Sequence, residues 1–231
     1  TANLFSGVLQ KMEGQNVQHL QYGSANARAL TLSFWVKSPK SGTHCVGLYA
    51  QDGNRGCPVE YTVASADTWE KISIIFPGDT GATVPPNDNT PYLWLMFPLH
   101  TGSTYEGTAG SWQSGEKYAT SSTVNIGDNT ANNFYLTDVQ LEVGSVATDF
   151  EHEDYGTTLA KCYRYLEIIG KETTYTRLAV GYVVSATEAY GNIYYAPKRV
   201  APTFTKSGTV YGNSFAGTVG GTLAVSWSSI Q

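Results

Sequence analysis

Three kinds of side chain in this 231-residue sequence have types and spacings that suit chemistry: small groups of carboxylates, flat aromatic rings set among short polar residues, and an aspartate in the middle of a strand that alternates apolar and polar residues. Glu60, Asp67 and Glu70 form the one acidic cluster beside predicted strands. Two carboxylates about 5–10 Å apart in a cleft would serve glycosidic hydrolysis. The acids are few and mostly in turns, so these three read as solvated strand ends. There is no GxSxG elbow, and the four histidines lack the neighbours of a nucleophilic triad. The chain is therefore expected not to be an enzyme. Glu151-His152-Glu153-Asp154 looks like a metal set by composition. Successive residues on an extended connector point in alternate directions, so the favoured reading is a polar linker held by Phe150 and Tyr155.

The aromatic residues suit recognition better than catalysis. Sugars present apolar C–H faces that stack on flat rings, and their hydroxyls need short polar partners. Trp35 and Trp94 fall on the faces opposite the expected core residues of their strands, and Tyr105 and Trp112 lie in the Gly/Ser-rich loop 101–115. These four are the candidate carbohydrate-stacking residues, with Tyr194 and Tyr195 as alternates near the C-terminal end. The competing reading packs Trp35 and Trp94 beneath a second layer and gives Trp112 a structural role. Trp69 opens a strand and is expected to plug the end of a sandwich.

Asp138 depends on strand phase. If Phe134 and Leu136 face the core, strict alternation turns Asp138 inward, where a carboxylate needs donors or a cation. The other phase puts Tyr135, Val139, Leu141 and Val143 inward and leaves Asp138 exposed.

The elements that must position these residues are strands. The chain is rich in Gly, Tyr, Thr, Ser and Asn and only 14% charged, which disfavours helical bundles. Residues 30–37 (LTLSFWVK) alternate with Leu32, Phe34 and Val36 on one face. Residues 44–50 and 59–64 flank the turn 52–56, residues 69–76 and 92–99 are further strands about the long loop 77–91, and residues 134–143 close the set. After Gly156 the period becomes helical, with Leu159, Cys162, Tyr163 and Leu166 on one face, Thr157 or Thr158 as N-cap and Gly170 as exit. Cys162 is expected to be a buried thiol. Strands are expected again at 177–185, 189–195, 203–211 and 222–227. The predicted fold is all-β: an antiparallel jelly-roll sandwich over residues 1–150, a connector and one short linking α-helix over 151–170, and a small C-terminal β domain over 171–231. A tip of that size buries little core, so intersubunit packing is expected.

Charge divides in the same place. Residues 1–160 carry seven basic and sixteen acidic side chains, and residues 161–231 carry seven and three. Lys198-Arg199 is too short a basic cluster to suggest nucleic acid and reads as mildly basic surface. No apolar run reaches the length of a spanning helix, so no membrane insertion is expected. Cys45, Cys57 and Cys162 form no disulfide framework, and reduced thiols suit synthesis in a bacterial cytoplasm. The chain opens at Thr1 and reads as part of a longer polypeptide.

Residues 133–167, NFYLTDVQLEVGSVATDFEHEDYGTTLAKCYRYLE, resemble a junction in bacteriophage tail fibres, tailspikes and related virion appendages. Asp138, Gln140, Leu141, Glu142, Gly144, Ala147, Phe150, Glu151, His152, Tyr155, Gly156, Leu159, Ala160, Cys162, Arg164 and Tyr165 match that pattern. EGQNVQHLQYGSANARALTLSFWVKS and WQSGEKYATSSTVNIGDNTANNFYLTDVQLEVG look like the same family's carbohydrate-binding-module-like jelly roll. AYGNIYYAPKRVAPTFT is similar to its terminal β domain, although Lys198-Arg199-Val200-Ala201-Pro202-Thr203 departs from the usual MRxxPT phrase.

The resemblance implies a virion protein that attaches to host-surface polysaccharide or lipopolysaccharide, alongside other virion tail proteins and as a homotrimer. The helix would then pack near a threefold axis or against its own sandwich. Jelly rolls of this kind often hold a structural calcium at a closing-strand aspartate, which implies Asp138 with Glu13 from the opening strand. A purely structural fibre, baseplate or head-decoration module is the alternative. A polysaccharide depolymerase is the third reading, weakened by the lack of β-helix repeats.

Overall fold

The computed structural model describes residues 2–169, 181–185, 188–203, 211–214 and 217–220, and the chain divides into two compact units, Thr1–Glu151 and His152–Gln231. The first unit is a two-sheet antiparallel β-sandwich. Its strands are β1 (Phe5–Glu13), β2 (Leu30–Lys37), β3 (Gly42–Ala50), β4 (Arg55–Val63), β5 (Trp69–Phe76), β6 (Pro91–Thr101), β7 (Gln113–Ser114) and β8 (Tyr135–Val143). One sheet has the order β1-β6-β3-β4-β7 and the other β5-β2-β8.

Alternation builds the core. Leu30, Leu32, Phe34 and Val36 of β2 face inward, level with Phe76, Ile74 and Ile72 of β5. Val46, Leu48 and Ala50 of β3, Tyr61 and Val63 of β4, and Leu93, Leu95 and Phe97 of β6 meet them from the other sheet. Phe34 joins the layers, with its ring edge-on to Tyr61 and to Phe97 at 5.2 Å each. Such aromatic contacts add to the burial of apolar area that holds the layers together. The strand β1, which residue patterning did not single out, forms one edge of the larger sheet.

The outer face of the larger sheet carries a second, smaller cluster of Tyr49, Met96 and Tyr118, with Trp94 and Tyr105 packed against it. The chain passes so close over β3 that a Cβ on Gly47 would lie 2.5 Å from the Tyr118 Cα. Only glycine fits there. The long loop after β5 is clamped by Asp79, which is almost wholly buried. Its carboxylate accepts hydrogen bonds from Arg55 Nε at 2.7 Å and the Gly81 amide at 3.1 Å, and its carbonyl accepts from the Gly23 amide at 2.9 Å.

Strand β8 resolves the phase of Asp138 in a way strict alternation did not offer. Ser33 pairs with Gln140 and Trp35 with Thr137, so Asp138 and Val139 together oppose Phe34. This is a β-bulge, and Asp138 sits in the left-handed region at φ 51°. Aspartate tolerates that conformation better than most residues. The extra residue reverses the phase, so Phe134 and Leu136 face the core before the bulge and Leu141 and Val143 after it. Each expected phase holds for half of the strand.

The hairpin register also separates the first two cysteines. Cys45 pairs with Glu60, and Cys57 with Leu48. Cys57 belongs to the main core, and Cys45 lies on the opposite face beneath Thr120 and Thr123, whose hydroxyl donates to its Sγ at 3.1 Å. Burial raises the Cys57 thiol to about 12 and pushes the Cys45 thiol up as well.

In the second unit, α1 spans Tyr155–Tyr163. It begins earlier than the threonines suggested, because Asp154 is the N-cap: its carboxylate accepts the Thr157 amide at 3.1 Å and is hydrogen bonded by the Thr157 hydroxyl. Glu153 pairs with Lys161 and accepts from the Thr158 hydroxyl. Two of the four residues that resembled a metal set thus serve the helix. Contrary to expectation, Cys162 is exposed, since no residue of α1 is buried.

Lys198 is not free basic surface. Its Nζ donates to the Tyr163 carbonyl and to Glu167 Oε2, each at 2.6 Å, and so closes the C-terminal end of the helix. Among the described residues of this unit two antiparallel strand pairs are formed, β9 (Gly181–Ser185) with β10 (Glu188–Gly191), and β11 (Tyr211–Ser214) with β12 (Gly217–Gly220). Residues 192–203 carry no strand, which corrects the expectation for 192–195 and for residue 203. Residues 177–180, 204–210 and 222–227, and Gly170, lie outside the described residues. Among the described residues no helix is long and apolar enough to cross a membrane.

Candidate functional site

The outer face of the sheet β5-β2-β8 is the part of the sandwich best suited to bind something. Its residues follow from the same alternation that builds the core: if Leu32, Phe34 and Val36 point inward, Thr31, Ser33, Trp35 and Lys37 point outward. The register sets them in cross-strand rows. Trp69, Lys37 and Tyr135 form one row; Lys71, Trp35 and Thr137 the next; Ser73, Ser33 and Gln140 the third; Ile75, Thr31 and Glu142 the last.

A strap covers part of β2 and β8 on this face. After β8 the chain folds back, and its amides and hydroxyls are caught by outward side chains of that strand. Glu142 Oε2 accepts the Thr148 amide at 3.0 Å, Gln140 Nε2 donates to the Asp149 carbonyl at 3.2 Å, and Gln140 Oε1 accepts the Glu151 amide at 2.7 Å. Thr31 Oγ1 donates to the Gly144 carbonyl at 2.8 Å. The Thr148 hydrogen bonds hold the Glu142 carboxyl below its ordinary value. Thr31 and Ser33, outward by phase, are consequently buried.

The other two rows are open. Trp35, Trp69 and Tyr135 are 36%, 44% and 46% exposed on one face of the sheet. The rings of Trp69 and Tyr135 lie 6.3 Å apart between centroids, and Lys37 Nζ sits 5.4 Å from the Tyr135 ring. The patch therefore offers ring faces, two lysines and the Thr137 hydroxyl, with no nucleophile or metal ligand set among them. This is a binding surface in chemical character.

Of the four stacking residues expected from sequence, Trp35 alone stands on this patch. Trp94 does lie on the outer face of its sheet, but Lys11 Nζ covers its ring at 3.7 Å, Tyr49 packs edge-on at 5.4 Å, and its buried indole N–H has no hydrogen-bond partner among the described residues. Tyr105 stacks on Tyr118 at 6.0 Å and meets Phe5 at 4.7 Å. Trp112 donates its indole N–H to the Pro77 carbonyl at 2.6 Å and packs edge-on against Tyr22. These three rings are parts of the packing.

Trp69 and Tyr135 were missed as candidates. The signal was present: Trp69 falls opposite Lys37 once the strands pair, so it faces outward and does not plug the sandwich end. Of the alternates, Tyr194 is largely exposed and Tyr195 lies 5.8 Å from Lys198 Nζ.

The acids take supporting roles. Glu60 accepts the Thr120 hydroxyl at 2.5 Å, and Glu70 accepts the Ala64 and Ser65 amides at 3.0 and 2.7 Å. The Asp67 amide donates to the Ser38 carbonyl at 2.7 Å. The calcium expectation fares poorly on geometry. Glu13 is buried on β1 and accepts Gln15 Nε2 at 2.6 Å, whereas Asp138 belongs to the other sheet, is half-exposed and accepts the Thr137 hydroxyl at 3.0 Å. Among the described residues no group of three or more His, Cys, Asp or Glu is placed to hold a metal ion. These residues do not fit a calcium site.

Comparison with protein-family models, with curated proteins and with solved structures finds no match to this chain.

Proposed function

We propose that the sandwich is a glycan-binding module of a phage virion appendage, and that it attaches to host-surface polysaccharide through the open half of the β5-β2-β8 face. The observation that carries the binding reading is the juxtaposition of Trp35, Trp69 and Tyr135, three exposed rings on one sheet surface beside Lys37 and Lys71. Single exposed aromatics are ordinary on soluble proteins, but three on one face of a sheet exceed that background. Ring faces stack on the C–H faces of sugars, while lysine and hydroxyl groups reach their oxygens. The viral assignment draws its support from the resemblance of residues 133–167 and of the jelly-roll and terminal-domain phrases on either side of them.

The test is binding to bacterial surface polysaccharides and to whole cells. Trp35→Ala is expected to weaken binding at least about tenfold while leaving the thermal midpoint nearly unchanged. Trp112→Ala, by contrast, removes a ring that packs on the core and is expected to act on stability. If Trp35→Ala binds as the unaltered chain does, the platform is elsewhere. If no polysaccharide or host cell is bound, the sandwich serves only structure.

A further inference from the structure

We propose that the open face selects acidic glycans, those carrying carboxylate or phosphate groups, over neutral ones; the inference rests on the glycan-binding reading of that face. Its ground is the way lysines alternate with rings. Lys71 pairs directly across the strands with Trp35, and Lys37 lies between Trp69 and Tyr135. Residues paired across strands stand about 5 Å apart at Cβ, so a sugar stacked on any of these rings has an ammonium group within reach of its substituents.

The placement runs against the charge of the unit. Residues 1–151 carry seven basic and fourteen acidic side chains, yet two of those bases stand together here. Among the described residues, neither lysine forms an ion pair. Glu70, between Trp69 and Lys71 on β5, pairs across the strands with the inward Val36 and accepts the Ala64 and Ser65 amides, and neither it nor Asp67 or Asp138 forms an ion pair with the two lysines. Elsewhere in the same unit lysine and arginine are engaged, Lys40 by Asp128 and Arg55 by Asp79. A cation held on an apolar surface without a counter-ion attracts an anionic ligand, and does so more at low salt.

The experiment uses the whole chain on an array of bacterial surface polysaccharides with uronate-containing, phosphate-substituted and neutral members. The bound members are expected to be acidic, and their binding to weaken as salt rises. Chemical reduction of the uronate carboxyls, or removal of the phosphates, is expected to abolish binding to the corresponding member, which also tells the two anion sources apart. Lys37→Gln and Lys71→Gln are each expected to lose about three- to fivefold on acidic members and little on neutral ones.

Neutral members bound as well as acidic ones, with both lysine variants unaffected and Trp35→Ala impaired, would overturn the acid selectivity and leave the platform standing. Absence of binding to every member would overturn both. Unchanged binding after carboxyl reduction and after phosphate removal would also sink the selectivity.

Discussion

Asp138 shows what one backbone position does for the sandwich. It occupies the left-handed region at φ 51°, and the extra residue it supplies lets Phe134 and Leu136, then Leu141 and Val143, all reach the core. Asp138→Gly is expected to change stability by less than about 0.5 kcal/mol, because glycine adopts that conformation freely and only the bond from Thr137 is lost. Asp138→Val is expected to cost about 1–2 kcal/mol, since a β-branched residue is strained there. Deleting residue 138 leaves Val139 alone opposite Phe34 and restores strict alternation with Leu136, Leu141 and Val143 all still inward, so that chain is expected to fold with an unbulged β8. Denaturant titration of the three variants checks the order. Equal stability of the Gly and Val variants would show that the bulge carries no strain. The residue identities that matter here were all visible in the sequence, as were both candidate phases. What alternation could not show is that the strand changes phase midway, because a bulge is specified by backbone conformation and cross-strand register.

At the scale of elements, the acids of residues 151–154 are explained by the helix they begin. The Asp154 carboxyl is held below its ordinary value chiefly by the Thr157 hydroxyl and amide, and Glu153 chiefly by Lys161 and the Thr158 hydroxyl. A carboxyl depressed in the folded state contributes stability at pH above its unfolded value and loses it as pH falls through the native value. The helix start is therefore expected to be equally protected between pH 5 and 7, and to fray below about pH 4. Amide exchange at Thr157 and Thr158, corrected for intrinsic rates, measures this. Asp154→Ala is expected to speed exchange several-fold at neutral pH and to remove most of the acid dependence. An unchanged profile in that variant would exclude Asp154 as the cap. Helical periodicity was legible in Leu159, Cys162 and Tyr163, but the periodic face is not a buried one. Periodicity reports that a face exists, not that something covers it.

At the scale of the whole molecule, Thr1–Glu151 makes its main core, its outer-face cluster and its strap from its own residues. A chain ending at Glu151 is accordingly expected to unfold in one cooperative transition and, on the proposed function, to bind polysaccharide as the whole chain does. One ending at Val143 loses the partners of Gln140 and Glu142 and uncovers Thr31 and Ser33, and is expected to be less stable. Calorimetry on both fragments checks this, and failure of the 1–151 chain to fold would make the second unit part of the sandwich's stability. The junction 133–167 that carries the phage resemblance thus contains three devices: a bulged closing strand, a strap tied back onto it, and a helix capped by its own acids.

Composition and alternation by themselves determined an all-β chain, most of the strands of its sandwich and the inward residues of those strands, because burial of alternate side chains is a local pattern read at period two. They also determined that Trp35 faces outward. Tertiary structure alone decided which outward rings remain open. Trp94 faces outward by the same alternation as Trp35, yet Lys11 of β1 and Tyr49 of β3 close over it, and the loop residues Tyr105 and Trp112 pack on Phe5, Tyr118 and Tyr22, while the strap stops short of Trp35, Trp69 and Tyr135. Exposure depends on what crosses a face from elsewhere in the chain, and no periodicity within a strand encodes that.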